Sequence, residues 1–91
     1  MINQGEWVWE EGTARWRQLY AVLRDRIESG AYPSRRLIPS LIQMEEEFGL
    51  ARNTIRKALA RLTREGYVRP EQGVGTVVQP REEWKPETGE E

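Results

Sequence analysis

A basic amphipathic segment between Phe48 and Gly66 constrains the fold of this chain more than any other part of the sequence. From Arg52 to Arg64 it has five basic residues and no acidic one. At about 100° per residue, one side of a helix would carry the aliphatic side chains of Ile55, Ala58, Leu59 and Leu62. The rest of the circumference would carry Arg52, Asn53, Arg56, Lys57 and Arg64. Such a helix suits a nucleic-acid groove, because phosphates attract its charges and base edges exchange hydrogen bonds with Arg and Asn.

Length and composition exclude several classes of protein. A chain of 91 residues makes one small domain, with room for three helices and a few short strands. It has no cysteine and no histidine, so it lacks thiol chemistry, the commonest general base and the commonest metal ligand. We expect no enzyme, no metal and no cofactor, since no nucleophile–base pair, phosphate-binding loop or metal cluster can be assembled. With no membrane-spanning stretch or signal peptide in the sequence, a cytoplasmic protein is expected.

The net charge of −1 conceals an uneven distribution along the chain. Residues 13–80 hold twelve Arg or Lys against seven Asp or Glu, a balance of +5, while residues 1–12 and 81–91 each carry −3. We therefore predict a basic domain over 13–80, an acidic N-terminal segment over 1–12, and an acidic disordered tail over 81–91. The two tryptophans Trp7 and Trp9 either form a short strand, dock on the domain, or lie on a mostly mobile terminus with one ring docked.

Helix signals divide the first part of the domain. Thr13 can cap a helix that runs to about Ser29 and ends at Gly30, and Ser40 can cap a second one. Gly49 breaks the second helix, and a third starts near Ala51 or Arg52. A short helix, a turn with glycine and a longer helix are typical of the helix-turn-helix motif.

Strand signals follow the third helix. Residues 67–69 and 76–79 are rich in valine and predict two strands, joined by a glycine-bearing hairpin loop over 70–75. Leu37 and Ile38 predict a further, very short strand. The fold class is therefore mainly α with a small β-hairpin, a winged helix-turn-helix of three helices plus a wing.

Other conspicuous side chains are interpreted as structural. Trp16, Tyr20 and Phe48 lie on the apolar stripes and are expected in the core. The acidic run Glu45–Glu47 is expected to face solvent, because three consecutive residues spread over about 200° of a helix and cannot converge on a metal.

A series of short motifs in register also resembles a known family. They are Leu19-Tyr20, Leu23-Arg24, Ile27, Ser29-Gly30, Tyr32-Pro33, Ile38-Pro39-Ser40, Phe48-Gly49, Arg52, Thr54-Ile55-Arg56, Ala58-Leu59, Leu62, Glu65-Gly66 and Gly73-Val74-Gly75-Thr76. Over residues 16–79, without a gap, the chain resembles the N-terminal DNA-binding domain of GntR-type bacterial transcriptional regulators.

The resemblance implies a transcriptional regulator, with a repressor favoured, that binds a palindromic double-stranded DNA operator as a homodimer. It places helix 52–65 in the major groove and the wing, 70–76, on a neighbouring groove or the backbone. Arg52 and Arg56 match the family's recognition-helix arginines, Thr54 its threonine, and Gly73 its wing-tip glycine. The full set of candidate DNA-binding residues is Arg35, Arg36, Ser40, Arg52, Asn53, Thr54, Arg56, Lys57, Gln72, Gly73 and Gly75.

The sequence departs from the family pattern at several positions. Arg35 stands where the family usually has glycine, Leu41-Ile42 where it has Glu-Arg, and Ala51 where it has Ser or Thr. An alternative function is therefore a winged-helix protein-interaction module with weakened or lost DNA binding. The twelve residues after Gln79 are too few for the family's effector domain, which predicts either a fragment or a minimal regulator.

Overall fold

Three helices followed by a two-stranded antiparallel hairpin make up the fold, as the sequence predicts. The computed structural model describes residues 7–86. Helix α1 spans Arg15–Ser29, α2 spans Leu41–Phe48 and α3 spans Arg52–Arg64. Strands β1, Val68–Glu71, and β2, Gly75–Val78, form the hairpin, and a short 3-10 turn, Arg81–Glu83, follows. The predicted winged helix-turn-helix is confirmed.

Helix α1 starts without the predicted cap. Ala14 is its N-cap residue, and no side chain caps it, so the prediction of Thr13 as the cap is wrong. The Gln18 side-chain amide instead ties the start of the helix to the preceding residues, donating to the carbonyl oxygens of Thr13 at 2.8 Å and Glu10 at 3.0 Å. At the other end, Gly30 adopts a φ of 90° and closes the helix, as predicted.

The core lies where α1 and α3 cross, with α2 and the hairpin closing its sides. Apolar side chains from the three helices and both strands are buried there, including Leu19, Leu23, Met44, Phe48, Ile55, Leu62, Val68 and Val78. Each such side chain contributes about 1.5–3 kcal/mol by its removal from water. The buried stripe of α3 fixes which of its faces points outward, and that outward face carries the charges.

Strand β2 is the central strand of a small three-part arrangement. Its residues Thr76 and Val78 exchange hydrogen bonds with residues 35–38, including Ile38 N–H to Thr76 O at 2.9 Å. Because strand residues alternate in direction, Val77 and Gly75 turn their backbone groups to β1. The predicted strand at Leu37–Ile38 appears as a single bridge between Leu37 and Val77.

The alternation also fixes which side of β1 is open. Val68 and Pro70 stand opposite Val78 and Thr76, so their backbone groups point away from the hairpin. The strands are offset from the predicted ranges, and the connecting turn is Gln72–Val74, shorter than the predicted loop over 70–75.

Residues 81–86, which follow the hairpin, pack against the domain. Trp84 packs on Tyr67 with ring centroids 5.1 Å apart, and its indole donates to Gln79 O at 2.8 Å. The Lys85 N–H donates to Glu65 O at 2.7 Å. The prediction of disorder from residue 81 is therefore wrong for 81–86, because an aromatic ring finds an apolar neighbour there. Residues 87–91 lie outside the described residues.

The two tryptophans of the N-terminal segment, Trp7 and Trp9, dock on the domain. The rings of Trp7 and Trp9 stack with centroids 5.5 Å apart, and Trp7 lies 5.1 Å from Phe48. The Trp9 indole donates to Phe48 O at 3.3 Å. Among the three alternatives for these tryptophans, docking of both rings is the one found. Residues 1–6, which belong to the predicted acidic segment, lie outside the described residues.

Across residues 7–86, none of the helices combines the length and apolarity that crossing a membrane requires.

Candidate nucleic-acid interface

The outward face of α3 forms the first part of the site. Asn53, Thr54, Arg56 and Lys57 line one shallow depression on this face, together with Ala60. Asn53, Arg56 and Lys57 are exposed and Thr54 is half-buried. Within residues 7–86, the side chains of Arg56 and Lys57 donate no hydrogen bond, so their donors are available to a ligand.

A groove between α2, α3 and the wing forms the second part. It contains three of the predicted residues, Ser40, Arg52 and Gly75. Apolar side chains make up much of the remaining wall, with Leu37 52% exposed, Ile42 59% and Val74 59%. Arg52 thus stands where the charged face of α3 meets an apolar groove.

Ser40 has a structural role and retains a free donor. Its hydroxyl oxygen accepts from the Gln43 N–H at 3.2 Å, and the Gln43 side chain accepts from the Ser40 N–H at 2.8 Å. This capping box confirms Ser40 as the cap of α2. The hydroxyl proton is not used by the cap, so it can still be donated to a phosphate oxygen.

Arg52 is paired with an acid in the structure. Its Nε donates to one carboxylate oxygen of Glu45 at 2.9 Å and its Nη2 to the other at 3.3 Å. The hydrogen bond from Arg52 lowers the pKa of the Glu45 carboxyl below its usual range. Sequence reasoning missed this pair, because Glu45 and Arg52 lie on different helices and no helical spacing connects them.

The acidic run on α2 is therefore less solvated than predicted. Glu47 receives a hydrogen bond from Arg26 at 2.7 Å, and Glu45 is held by Arg52, while Glu46 is exposed. Glu46 faces solvent as predicted, whereas Glu45 and Glu47 are half-buried and paired with arginines. No group of three or more acidic side chains within residues 7–86 converges on a possible metal site.

The start of α3 lacks a side-chain cap. Ala51 has the extended backbone of an N-cap residue, with ψ 151°, and no side chain receives a hydrogen bond from the first turn. The first backbone N–H groups of α3 are therefore left without a side-chain partner, next to Arg52 and Asn53.

Arg35 and Arg36 lie apart from this groove. They are exposed and line a separate depression with Pro33 and Leu37. Arg35 has a φ of 67°, the left-handed conformation that glycine adopts at no steric cost. Its N–H donates to Val78 O at 2.7 Å, so the turn is fixed against the hairpin. The structure does not bring these two arginines together with Arg52.

The wing tip presents backbone to solvent. Gln72, Gly73 and Val74 are exposed, and Gly73 has a φ of 79°. Beyond it, Gly75 has a φ of 141° and a Cβ there would lie 3.1 Å from the Leu37 side chain. Sequence reasoning did not select Arg69, an exposed residue of β1 that forms an ion pair with Glu71.

With this geometry in place, known proteins provide a comparison. A family model described as bacterial regulatory proteins, gntR family, matches residues 16–78. The chain belongs to the GntR family.

Several curated relatives support the GntR assignment. An uncharacterized HTH-type transcriptional regulator of Rhizobium meliloti (strain 1021) is 41% identical over 68 residues, which are 75% of this chain and 28% of the relative. The histidine utilization repressor of Pseudomonas aeruginosa is 42% identical over 53 residues, 58% of this chain and 21% of that protein. The chain thus spans less than a third of the length of these GntR relatives.

Solved structures extend the comparison. The crystal structure of AraR(DBD) in complex with operator ORR3 has a TM-score of 0.70 and 29% identity, and the likeness covers 86% of this chain and 94% of that one. AraR(DBD) in complex with operator ORE1 has a TM-score of 0.67 and 32% identity, covering 69% and 77%. A GntR-family regulator from Listeria monocytogenes has a TM-score of 0.74 at 17% identity over 78% of this chain and 62% of that one, a likeness of fold alone.

Proposed function

We propose that this chain is the DNA-binding part of a transcriptional regulator, most simply a repressor, that recognises double-stranded DNA in the cytoplasm. The observation that carries the proposal is the outward face of α3, where Arg52, Asn53, Arg56 and Lys57 are exposed together beside the wing. Family membership and the operator complexes of AraR(DBD) support it. The protein-interaction alternative has less support, since it leaves this cationic face without a role.

Each part of the site has a distinct task in this proposal. The start of α3 enters the major groove, where Arg52 and Arg56 can donate two hydrogen bonds to a guanine and Asn53 can exchange two with an adenine. Thr54 and Lys57 lie along the depression on the outward face of α3 and would contact backbone phosphates. The first N–H groups of α3 add a favourable dipole for those phosphates.

The flanks of the site would position the domain without reading bases. The Ser40 hydroxyl would donate to a phosphate. The wing, with Gln72, Gly73 and Gly75, would approach a neighbouring groove, where glycine permits close backbone contact. Arg35 and Arg36, on a separate surface, contribute long-range attraction to the same duplex. A palindromic operator would bind two copies, with half-sites about one helical turn apart or a multiple of it.

Titration of labelled duplexes at two salt concentrations tests this function. Because bound phosphates release counterions, a regulator loses affinity steeply as salt increases. A duplex recovered by selection from a random-sequence library is expected to bind more tightly than an unselected duplex. Absence of binding to any duplex at low salt would exclude DNA recognition and favour the protein-interaction module.

A further inference from the structure

The ion pair between α2 and α3 leaves one side of the Arg52 guanidinium open. Glu45 occupies the side edge of the guanidinium, formed by Nε and Nη2. Within residues 7–86, Nη1 donates no hydrogen bond. The end of the guanidinium, formed by Nη1 and the second proton of Nη2, therefore remains a free pair of parallel donors.

This free end has the geometry that a guanine requires. Guanine presents O6 and N7 as two acceptors in the major groove, and a bidentate arginine is the commonest specific contact to them. The guanidinium is planar and carries five donors in a rigid fork, so one edge can bind a carboxylate while another edge binds a base. Pairing with Glu45 is thus compatible with base reading.

The two partners differ in exposure and in their position along their helices. The Glu45 side chain is 30% exposed and extends from the middle of α2, whereas Arg52 is 47% exposed at the first residue of α3. A long side chain at a helix start has many rotamers, and ordering it on binding reduces affinity. A carboxylate that already holds the guanidinium before DNA binds removes part of that ordering from the binding step.

We propose that Glu45 is a positioning residue, which holds Arg52 so that its free donor pair faces a guanine and thereby sets base preference at one position. The proposal rests on the function proposed above and deepens it. Glu45 itself touches no base. Its negative charge weakens attraction to all phosphates, so it trades general affinity for discrimination between base pairs.

Opposite changes in general DNA affinity and in discrimination between base pairs distinguish a positioning role from a simple ion pair. Loss of Glu45 leaves Arg52 in place but mobile, so discrimination at its base pair should fall roughly two- to tenfold, the scale of ordering one long side chain. Affinity for a duplex without that guanine should stay equal or increase, because a charge that repels phosphates is gone. A residue that merely stabilised the fold would not move these two quantities in opposite directions.

The test uses the full 91-residue chain and duplex DNA. Selection from a random-sequence duplex library, with the wild type and with Arg52→Ala, identifies the base pair whose preference depends on Arg52. Fluorescence anisotropy then compares the selected duplex with one in which that single pair is replaced. We expect Glu45→Ala to lose discrimination at this pair alone, and Glu45→Gln, which keeps an acceptor for Arg52, to retain most of it.

Glu46→Ala is the matched control. It removes the same charge from the next residue of α2, where the side chain is exposed, and should leave discrimination unchanged. Circular dichroism checks that each variant is folded. If Glu45→Ala discriminates as well as Glu46→Ala does, or better than the wild type, Glu45 does not position Arg52.

Two other outcomes separate this inference from the proposed function. If the wild type selects a sequence but Arg52→Ala retains every preference, DNA recognition stands and the role of Glu45 is overturned. If the wild type binds no duplex at low salt, both proposals are overturned together.

Discussion

Arg35 occupies a backbone conformation that favours glycine, and its φ of 67° explains a departure visible in the sequence. The left-handed conformation costs a residue with a Cβ about 1–2 kcal/mol. The structure retains it because the Arg35 N–H and the Arg36 carbonyl oxygen both bond to Val78, at 2.7 Å and 2.9 Å. The turn thus keeps its shape without glycine, at the expense of some stability.

Gly66 shows a stricter requirement. It has a φ of 82°, and a Cβ there would lie 2.2 Å from the carbonyl oxygen of Glu83. We expect Gly66→Ala to lower the free energy of unfolding by about 2–4 kcal/mol, combining backbone strain with overpacking. Gly30→Ala, at a φ of 90° with nothing within 4 Å, should cost only the strain, about 1–2 kcal/mol. Urea unfolding measures both, and equal losses would show that the 81–86 segment does not press on Gly66 in solution.

Arg52 and Arg56 are the two exposed arginines at the start of α3. Arg52→Ala or Arg56→Ala should weaken specific DNA binding by about 1–3 kcal/mol, the value of one bidentate base contact, without unfolding the domain. Binding isotherms on the selected duplex measure the loss, and circular dichroism monitors the fold. Wild-type affinity in both variants, with unchanged circular dichroism, would contradict the proposal that α3 enters the major groove.

The three tyrosines provide a pH-dependent prediction. Burial raises the pKa of the phenols of Tyr20, Tyr32 and Tyr67 above their ordinary value of 10.0. Because the folded pKa values are raised, the neutral phenols stabilise the fold fully below pH 10 and cease to do so as pH rises through those values. Phenolate absorbance should therefore appear near pH 10 in urea-unfolded protein and at higher pH in the native chain. Coincident titration curves would contradict the burial.

Among the elements, helices were predictable and the contacts between distant parts of the chain were not. The apolar period and the glycines Gly30 and Gly49 fix the helix limits to within a residue or two. The position of Trp84 could not be predicted, because its partner Tyr67 lies in another element and leaves no local pattern. The same holds for the pair of Glu45 and Arg52, which bridges two helices across a turn.

Buried charge was missed for the same reason. Glu65 is 1% exposed, and it accepts hydrogen bonds from Tyr20 and from Arg61, the latter at 2.7 Å. In the sequence, Glu65 is simply an acidic residue before the glycine that ends α3, and no local pattern indicates that it is buried. The Tyr20 hydroxyl reaches Glu65 only because α1 packs against α3. The ion pair with Glu65 also directs the Arg61 side chain away from the proposed DNA face.

Ile42 and Ala51 lie at the starts of α2 and α3. Ile42 is 59% exposed in the groove beside Arg52, and Ala51 provides no cap. Restoring Ile42→Arg and Ala51→Ser together should raise DNA affinity, each by about 1 kcal/mol. The new arginine should steepen the salt dependence by about one phosphate.

Urea unfolding and salt titration separate the two contributions. Ala51→Ser alone should stabilise the free domain by about 1 kcal/mol, since its hydroxyl would cap α3 without DNA. Ile42→Gln is the control for size and polarity without charge. If the double variant binds no better and its salt slope is unchanged, residues 42 and 51 do not face the duplex.

For the molecule as a whole, exposed apolar surface is sparse outside the proposed DNA face. Among residues 7–86 the exposed large apolar side chains are Val8, Leu37, Ile42 and Val74, and the last three line the groove. A stable interface between proteins buries about 800 Å² per partner, which these residues do not provide elsewhere. The aromatic rings of Trp7, Trp9 and Trp84 are partly buried against the core of the same chain, so less of their surface is open to a partner.

We therefore expect a monomer or weak dimer in free solution, and pairing on the operator. The contact candidates are the N-terminal segment with Val8, which is 91% exposed, and the surface around Trp84. Sedimentation with and without operator DNA measures the assembly. A tight dimer that survives deletion of residues 1–12 would contradict the assignment of the contact to the N-terminal segment.

Pro70 on the open side of β1 has a consequence for solubility. The outer edge of a hairpin offers unpaired backbone donors and acceptors, on which strands of other chains can add and start aggregation. The backbone nitrogen of Pro70 faces away from β2 and carries no hydrogen. Proline therefore removes a donor from this outer edge without removing a hydrogen bond to β2. Arg69 and Glu71 add opposite charges on either side of it. These residues therefore protect the exposed edge of the hairpin against edge-to-edge aggregation with other copies of the chain.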